Sequence, residues 1–210
     1  MNSKKNPSGP KASQRMTSRQ LQALQTKDRI YQSALHVMET QGYKDASIEA
    51  ITTDAGVSTG SFYTYFTSKE QLILYTVMKT EEIYQHAYQA AERLPFPDNL
   101  FTFVKLSYFA LEQRGKEIMY GVMSNYLSPE FKSNVLNPDR AFYRCMQRLI
   151  QSGKEQGQLQ EDISDAAYAQ KIFTTLTGVE MLWCMLDYRD SLSALAEDAV
   201  KDLVKGLAAK

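Results

Sequence analysis

Apolar residues recur along this chain at spacings of three and four, which is the period of an α-helix buried on one face. The alternation of apolar and polar residues that marks a half-buried strand is not found. The pattern therefore predicts an all-α protein of about nine helices. The expected helices span residues 17–42 with a break near Thr26, 69–93, 98–113, 116–126, 138–156, 164–188 and 191–207, with two short ones between 47 and 66.

The two short helices are separated by a sharp turn. Ser47 is a suitable N-cap for the first helix, and Gly56 suits the left-handed residue that ends it. Ser58 can cap the second helix at once, so the pair is typical of a helix-turn-helix. Phe62 and Phe66 lie four residues apart and are expected to face the core.

Apart from Phe62 and Phe66, the second short helix consists of hydroxyl residues, tyrosines and a glycine, which are expected to face solvent. Such side chains reach base edges and phosphate oxygens, and glycine allows close backbone approach. Ser68 then caps a further helix with Lys69 in its first turn, which favours phosphate binding. The alternative, a three-helix packing unit, leaves the exposed tyrosines without a purpose. The predicted DNA contacts are Ser47, Ser58, Thr59, Gly60, Ser61, Tyr63, Thr64, Tyr65 and Lys69.

Charge is distributed unevenly although the formal net charge is zero. Residues 1–44 contain eight Lys and Arg against two Asp and Glu, whereas residues 70–210 contain fifteen against nineteen. The basic excess lies beside the helix-turn-helix, where phosphate contacts need it. Residues 1–16 are polar and include two prolines, so we expect a disordered basic tail, either touching DNA or simply solvated.

Residues 26–72 closely resemble the DNA-binding domain of TetR-family transcriptional regulators. The matching residues are Ala34-Leu35, Gln41-Gly42-Tyr43, Ser47-Ile48, Ile51, Ala55-Gly56-Val57-Ser58, Gly60-Ser61-Phe62-Tyr63, Tyr65-Phe66 and Ser68-Lys69-Glu70-Gln71-Leu72. Thr52 departs from the pattern, because the family more often has alanine there. The resemblance implies a TetR-like fold: a three-helix helix-turn-helix domain over residues 17–68, and a bundle of about six helices over residues 69–210 for ligand binding and dimerisation.

The last two helices carry apolar stripes with heptad-like spacing. In the resembled family, these helices from two subunits form a four-helix dimer interface, which implies a homodimer. The alternative is that the stripes pack only within one subunit. The residues assigned to the interface are Ile172, Leu176, Val179, Leu192, Leu195, Ala199 and Leu203.

The middle helices hold more aromatic residues and methionines than one buried stripe requires. Tyrosine and tryptophan place a polar tip on an apolar wall, as small-molecule pockets need, although each residue alone also suits a plain core. No basic cluster in this region indicates a highly anionic ligand, so we expect an apolar or aromatic effector of moderate size. The candidate pocket residues are Phe103, Tyr108, Tyr120, Met123, Tyr143, Met146, Phe173 and Trp183.

The expected function is a ligand-responsive DNA-binding regulator, a repressor that binds a pseudo-palindromic operator as a dimer and is released by its effector. The alternative is a DNA-binding protein whose C-terminal domain binds a protein partner and no small effector. A thermal-shift or structural demonstration of a fully packed C-terminal domain would favour that alternative.

Motifs of common enzyme classes are absent from the sequence, so we expect no enzyme and assign no catalytic residue and no cofactor. His36 and His86 have no neighbours at metal-ligand spacing, and no metal site is assigned. Cys145 and Cys184 are expected to be reduced thiols. The sequence has neither an apolar run of membrane length nor a secretory leader, so we expect no membrane contact and a cytoplasmic location.

Overall fold

The computed structural model describes residues 17–186 and 190–207 of this 210-residue chain. The described residues form eleven helices without a β-strand, which confirms the all-α prediction and slightly exceeds the expected helix number. The predicted tail over residues 1–16 and the predicted helix end at Tyr188 lie outside the described residues. The helices are α1 (Ser18–Gln41), α2 (Ile48–Asp54), α3 (Thr59–Tyr65), α4 (Lys69–Met78), α5 (Thr80–Ala91), α6 (Asp98–Glu112), α7 (Lys116–Asn125), α8 (Pro129–Val135), α9 (Ala141–Glu155), α10 (Asp165–Met185) and α11 (Leu192–Leu207).

Helix α1 is continuous, so the predicted break near Thr26 is wrong. The helix begins with a capping box, in which Thr17 accepts the Gln20 N–H and the Gln20 side chain accepts the Thr17 N–H. The Thr26 hydroxyl donates to the Gln22 carbonyl at 2.9 Å, so its polar group is satisfied inside the helix and does not start a new one.

The turn between α2 and α3 follows the expected chemistry closely. Gly56 has a φ of 61°, in the left-handed region where a side chain is disfavoured. The N–H groups of Gly56 and Val57 donate to the carbonyls of Thr53 and Thr52, which is a Schellman end for α2. Ser58 then accepts the Ser61 N–H and caps α3. The short turn fixes the angle at which α3 leaves α2.

Helices α1–α3, called the head below, share one hydrophobic core with α4 and α7. The fully buried members from the head include Ile30, Ile51 and Phe62. Ile118 of α7 is equally buried and belongs to the same cluster. The head is therefore packed directly against the rest of the chain, and α7 is the element that joins them.

The long helix expected over residues 69–93 is interrupted at Lys79, which separates α4 from α5. Two guanidinium groups bind main-chain carbonyls at this point, and such competition with the helical hydrogen bonds is a common cause of a kink. Arg114 donates to the carbonyls of Thr76 and Lys79, at 2.8 and 3.2 Å, and Arg140 donates to that of Val77 at 2.8 Å.

A second core is formed by α5, α6, α9, α10 and α11. Helix α8 was not predicted, although Ser128 as N-cap and Pro129 in the first turn are start signals that the sequence contains. The helix expected to open at Pro138 begins instead at Ala141, with Arg140 as its N-cap residue. The chain from Ser128 to Arg140 thus forms a short helix and a turn beside the interior cavity described below.

Candidate nucleic-acid interface and interior cavity

Helix α3 presents a polar surface to solvent. Tyr63 is 54% exposed, and Thr59, Gly60 and Thr64 are exposed beside it. Phe62 is fully buried on the opposite side of the helix and holds the Tyr63 ring edge-on, with 5.5 Å between ring centroids. The exposed set can therefore approach a DNA groove while the helix stays anchored to the core.

The other residues near α3 that were predicted to contact DNA are less accessible, or their hydroxyls are already hydrogen-bonded. Ser47 and Ser58 are exposed, but their hydroxyls cap α2 and α3 by accepting main-chain N–H groups. Ser61 and Tyr65 are only partly exposed. The predicted residues therefore differ in how accessible they are to a partner.

The Lys69 side chain has different hydrogen-bond partners from those predicted. Its ammonium donates to the carbonyls of Tyr43, Lys44 and Ala46, at 2.6, 3.1 and 3.0 Å. An ammonium has three N–H donors, so these bonds leave none for a phosphate oxygen. The assignment of Lys69 as a phosphate ligand is wrong for this structure, because the loop after α1 folds over the start of α4 and occupies it.

The same loop is held from the other side by α7. The Glu117 carboxylate accepts the Tyr43 N–H at 2.8 Å, and the Asn125 amide donates to the Tyr43 hydroxyl at 2.9 Å. Gly121 lies between these two residues, and a Cβ at this position would come within 2.8 Å of the Tyr43 ring. Burial, followed by repulsion from Glu117, raises the pKa of Glu39 nearby. Helix α7 therefore contacts the head through a close, polar joint.

Tyr120 belongs to this joint and not to a ligand pocket. The Lys44 ammonium lies 5.4 Å from the centroid of its ring. A hydrogen bond between the two side chains raises the pKa of Lys44 and lowers that of Tyr120. The prediction that Tyr120 lines a pocket is wrong, because its position on α7 faces the head.

An interior cavity lies on the opposite side of α7. The volume of this cavity is about 60 Å³. Its walls come from α4 to α10, with Arg114, Tyr126 and Arg140 from the connecting segments. The candidate pocket residues Tyr108, Tyr143 and Phe173 lie in its lining, together with Tyr84 and Phe142, which were not among the candidates.

Glu180 of α10 is the acidic residue of this cavity and is only 6% exposed. The Tyr108 hydroxyl donates to its carboxylate at 2.7 Å. Burial raises the pKa of Glu180 to about 7, against the opposing effect of hydrogen bonds from Tyr108 and Tyr126. Burial also raises the pKa of Tyr84 to about 12 and raises that of Tyr108 well above its ordinary value.

The cavity lining also includes two arginines, in a region where no basic cluster was expected to indicate a highly anionic ligand. Arg140 donates to Glu81 and Thr80 at 2.7 Å, in addition to the α4 carbonyl described above. Arg114 donates to the carbonyls of Thr76 and Lys79 at the end of α4. The basic groups therefore connect the cavity wall to the helix that begins at Lys69.

Four other residues predicted for the pocket lie elsewhere. Phe103 and Met146 are fully buried in the second core and do not reach the cavity. Met123 packs in the core of the head, and Trp183 donates its indole N–H to the Asp190 carbonyl. The aromatic composition of the middle helices indicated where a cavity would lie. Which side chains line the cavity depends on how each helix is rotated about its own axis.

The residues predicted for a dimer interface divide between two faces. Ile172, Leu176 and Leu192 are buried within this chain, at 2%, 1% and 0% exposure, so their assignment is wrong. They face inward because α10 packs on α7, α9 and α11, and α11 packs on α6. Val179, Leu195, Ala199 and Leu203 are partly exposed. The exposed apolar residues of α10 and its end are Met181, Leu182, Met185 and Leu186.

The missed acid was visible in the sequence. Glu180 is the only charged residue between Lys171 and Asp187, in a stretch that is otherwise apolar or small. A lone charge in such a helix is a recognised mark of a functional or paired position.

In the part of the chain that the structure describes, each helix is too short or too polar to cross a membrane.

Comparison with known proteins adds two family matches over separate parts of the chain. The model for bacterial regulatory proteins of the tetR family matches residues 30–76, and the model for the C-terminal region of YsiA-like proteins matches residues 127–206. The chain is 26% identical over 168 residues to the HTH-type transcriptional regulator UidR of Escherichia coli K12, covering 78% of this chain and 84% of that protein.

Solved structures show the same fold. FadR from Bacillus subtilis, in complex with stearoyl-CoA, superposes with a TM-score of 0.72 at 19% identity, covering 86% of this chain and 98% of that one. A transcriptional regulator from Saccharomonospora viridis, in complex with choline, gives a TM-score of 0.67 at 16% identity, covering 89% and 100%.

Proposed function

Because the chain belongs to the TetR family of bacterial DNA-binding transcriptional regulators, we propose that it is a homodimeric repressor released from its operator by a small molecule. The observation that carries this proposal is the polar, solvent-facing side of α3, anchored by buried Phe62 in a helix-turn-helix. The effector site is the interior cavity between α4, α7 and α10.

DNA binding is proposed to use the exposed residues of α3. Thr59 and Thr64 are placed for base edges, and the Tyr63 hydroxyl for a phosphate oxygen. Helix α3 carries no basic side chain, so the electrostatic part of binding falls to basic residues elsewhere, including the four Lys and Arg of residues 1–16. Ser47, Ser58, Ser61 and Tyr65 support the geometry of this surface or lie at its edge.

Dimerisation is proposed to use the exposed apolar face of α10 together with partly exposed Leu195, Ala199 and Leu203 of α11. Met181, Leu182 and Met185 follow one another at helical spacing and are 37%, 49% and 69% exposed. Contiguous apolar surface of this kind favours an interface over solvent. Two heads related by a two-fold axis would read two half-sites of a pseudo-palindrome.

The effector is proposed to act through α4 and α7, because both helices contact the cavity and the head. Arg114 and Arg140 hold the end of α4 at the cavity wall, while Lys69 at its start holds the loop around Tyr43. A ligand that displaces the cavity wall would shift these supports together. The resulting change in head spacing would weaken binding to two adjacent major grooves.

A small effector is favoured over a protein partner because the cavity places aromatic rings beside convergent hydroxyl, guanidinium and carboxyl groups. Two structural relatives of the same fold are complexes with stearoyl-CoA and choline, which supports a small-molecule effector without naming it. The apolar or aromatic class of effector expected from the sequence is compatible with the rings lining the cavity.

The test is selection of DNA from a random duplex library by the purified full-length protein, followed by sequencing. We expect enrichment of an inverted repeat bound by two protomers. Enrichment of a single half-site would contradict the dimer, and the absence of any enriched sequence would contradict the whole proposal.

A further inference from the structure

Within the described part of the chain, no ion pair is formed by the buried carboxyl of Glu180. Its hydrogen-bond partners are the hydroxyls of Tyr108 and Tyr126. Among the described residues, no lysine, arginine or histidine forms an ion pair with it. Burying an unpaired carboxyl costs free energy, and the fold would be served as well by an apolar or amide side chain. When it is ionised, this carboxyl therefore favours a positively charged group in the cavity.

Aromatic rings form part of the cavity lining, beside aliphatic, threonine and arginine side chains. Phe142 lies 5.3 Å from Tyr84, 5.4 Å from Tyr143 and 5.9 Å from Phe173, measured between ring centroids. Ring faces attract cations, and the attraction is greater where water is excluded. A carboxyl and several rings around one small space therefore favour the same ligand charge.

The arginines of the cavity do not neutralise Glu180. Arg140 is paired with Glu81, and both guanidiniums donate to main-chain carbonyls at the end of α4. The charged and titratable groups around Glu180 are Tyr84 of α5, Tyr108 of α6, Arg114 before α7, Tyr126 after it, Arg140 before α9 and Cys184 of α10. Both guanidiniums share the cavity lining with Glu180, and their hydrogen bonds hold them to the end of α4.

We propose that this cavity binds an organic cation, an amine or quaternary ammonium with an apolar portion, whose positive charge lies against Glu180 and whose apolar portion packs among the rings. The proposal rests on the cavity being the effector site and adds the charge of the effector. Tyr143 and Phe173 are half-buried, and their rings lie 5.6 Å apart. Because the cavity is small, these two side chains would separate to admit the ligand.

The test is calorimetric titration of the full-length protein with two molecules of the same shape, phenyltrimethylammonium and neutral tert-butylbenzene. The cation is expected to bind at least about tenfold more tightly than the neutral isostere. Glu180→Gln keeps the acceptor and removes the charge, and is expected to weaken the cation by about 10- to 100-fold and the isostere by less than about twofold. Glu82→Gln, an exposed change on α5, should alter neither.

A second measurement uses the unmodified protein, so it does not depend on whether the Glu180→Gln variant folds. Glu180 has a pKa of about 7 in the free protein, and only its ionised form attracts the cation. The affinity for phenyltrimethylammonium, which does not titrate, should therefore rise about tenfold between about pH 6 and about pH 8, and that for tert-butylbenzene should not rise.

Equal affinity for the two molecules, or binding of neither, would overturn the cationic assignment. That outcome is distinct from failure of the proposed function. Operator binding that is released by a neutral or anionic molecule would leave the regulator intact and reject the cation, whereas absence of sequence-selective DNA binding would reject the regulator itself.

Discussion

The Lys69 ammonium lies 2.6 Å from the Tyr43 carbonyl oxygen and 4.7 Å from the centroid of the same tyrosine ring. Tyr43 is also bound by Glu117 and Asn125 of α7. One residue of the head is therefore contacted by the helix that leaves the head and by the helix that lines the cavity. This arrangement gives Tyr43 the position of a joint between the two halves of the chain.

Lys69→Met tests whether this lysine holds the loop or binds phosphate. Loss of three hydrogen bonds from an ammonium should lower the free energy of unfolding by about 1–3 kcal/mol. The slope of the logarithm of DNA affinity against the logarithm of salt concentration should stay unchanged, because no phosphate contact is lost. Chemical denaturation and a salt series measure the two effects.

The exposed Lys132→Met on α8 serves as the control for Lys69 and should change neither quantity. If Lys69→Met instead left stability intact and reduced the salt slope by about one, the lysine would be a phosphate ligand after all.

Gly121→Ala tests the close contact between α7 and Tyr43. The new Cβ would lie 2.8 Å from the Tyr43 ring and 3.1 Å from the Ile73 side chain, and both neighbours are buried. We expect a loss of about 1–3 kcal/mol in the free energy of unfolding, seen by denaturation. Gly206→Ala meets nothing within 4 Å and should be neutral or stabilising. Equal stability of both variants would show that α7 does not press on Tyr43.

Met185→Glu tests the exposed face of α10 as the dimer interface. Met185 is 69% exposed in the single chain, so a charge there should not disturb the fold but should oppose burial against a second copy. Sedimentation is expected to show a shift from dimer to monomer, with the helical content measured by circular dichroism unchanged. Leu127→Glu, at a position that is 96% exposed and off this face, is the matched control. A persistent dimer of Met185→Glu would place the interface elsewhere.

Stability should depend on pH through Glu180. Its pKa is about 7 when folded, above the ordinary value of 4.5, so the folded state binds more protons than the unfolded state between these values. The free energy of unfolding should therefore fall as pH rises through this window, by up to roughly 3 kcal/mol, and level off above it. Glu180→Gln should remove this component, so the difference between the two proteins in denaturation at each pH isolates it. A difference that is constant with pH would mean that Glu180 titrates normally.

Local features were predictable from sequence because local chemistry determines them. Ser47, Ser58 and Ser68 each cap the helix expected, and Gly56 adopts the expected left-handed conformation. Hydroxyl caps and positive φ values need only the neighbouring residues, so reading them requires no knowledge of tertiary structure.

Features that depend on distant partners were not predictable. The acceptors of Lys69 lie 23 to 26 residues earlier in the chain, and Tyr108 lies 72 residues before Glu180. The apolar stripe on α10 did not determine which face of the helix packs inward, because both faces carry apolar residues. Leu176 proved to be inside and Met185 outside only once the packing of α10 on α7, α9 and α11 was known.

The central claim is that the exposed surface of α3 reads DNA. Its most direct measurement is the affinity of the full-length protein for its selected operator, compared with a Tyr63→Ala, Thr64→Ala double variant by fluorescence anisotropy at fixed salt. The double variant should bind at least about tenfold more weakly with the same thermal stability, while Gln89→Ala on α5 should bind as the unmodified protein does. Undiminished operator affinity in the double variant would contradict the claim.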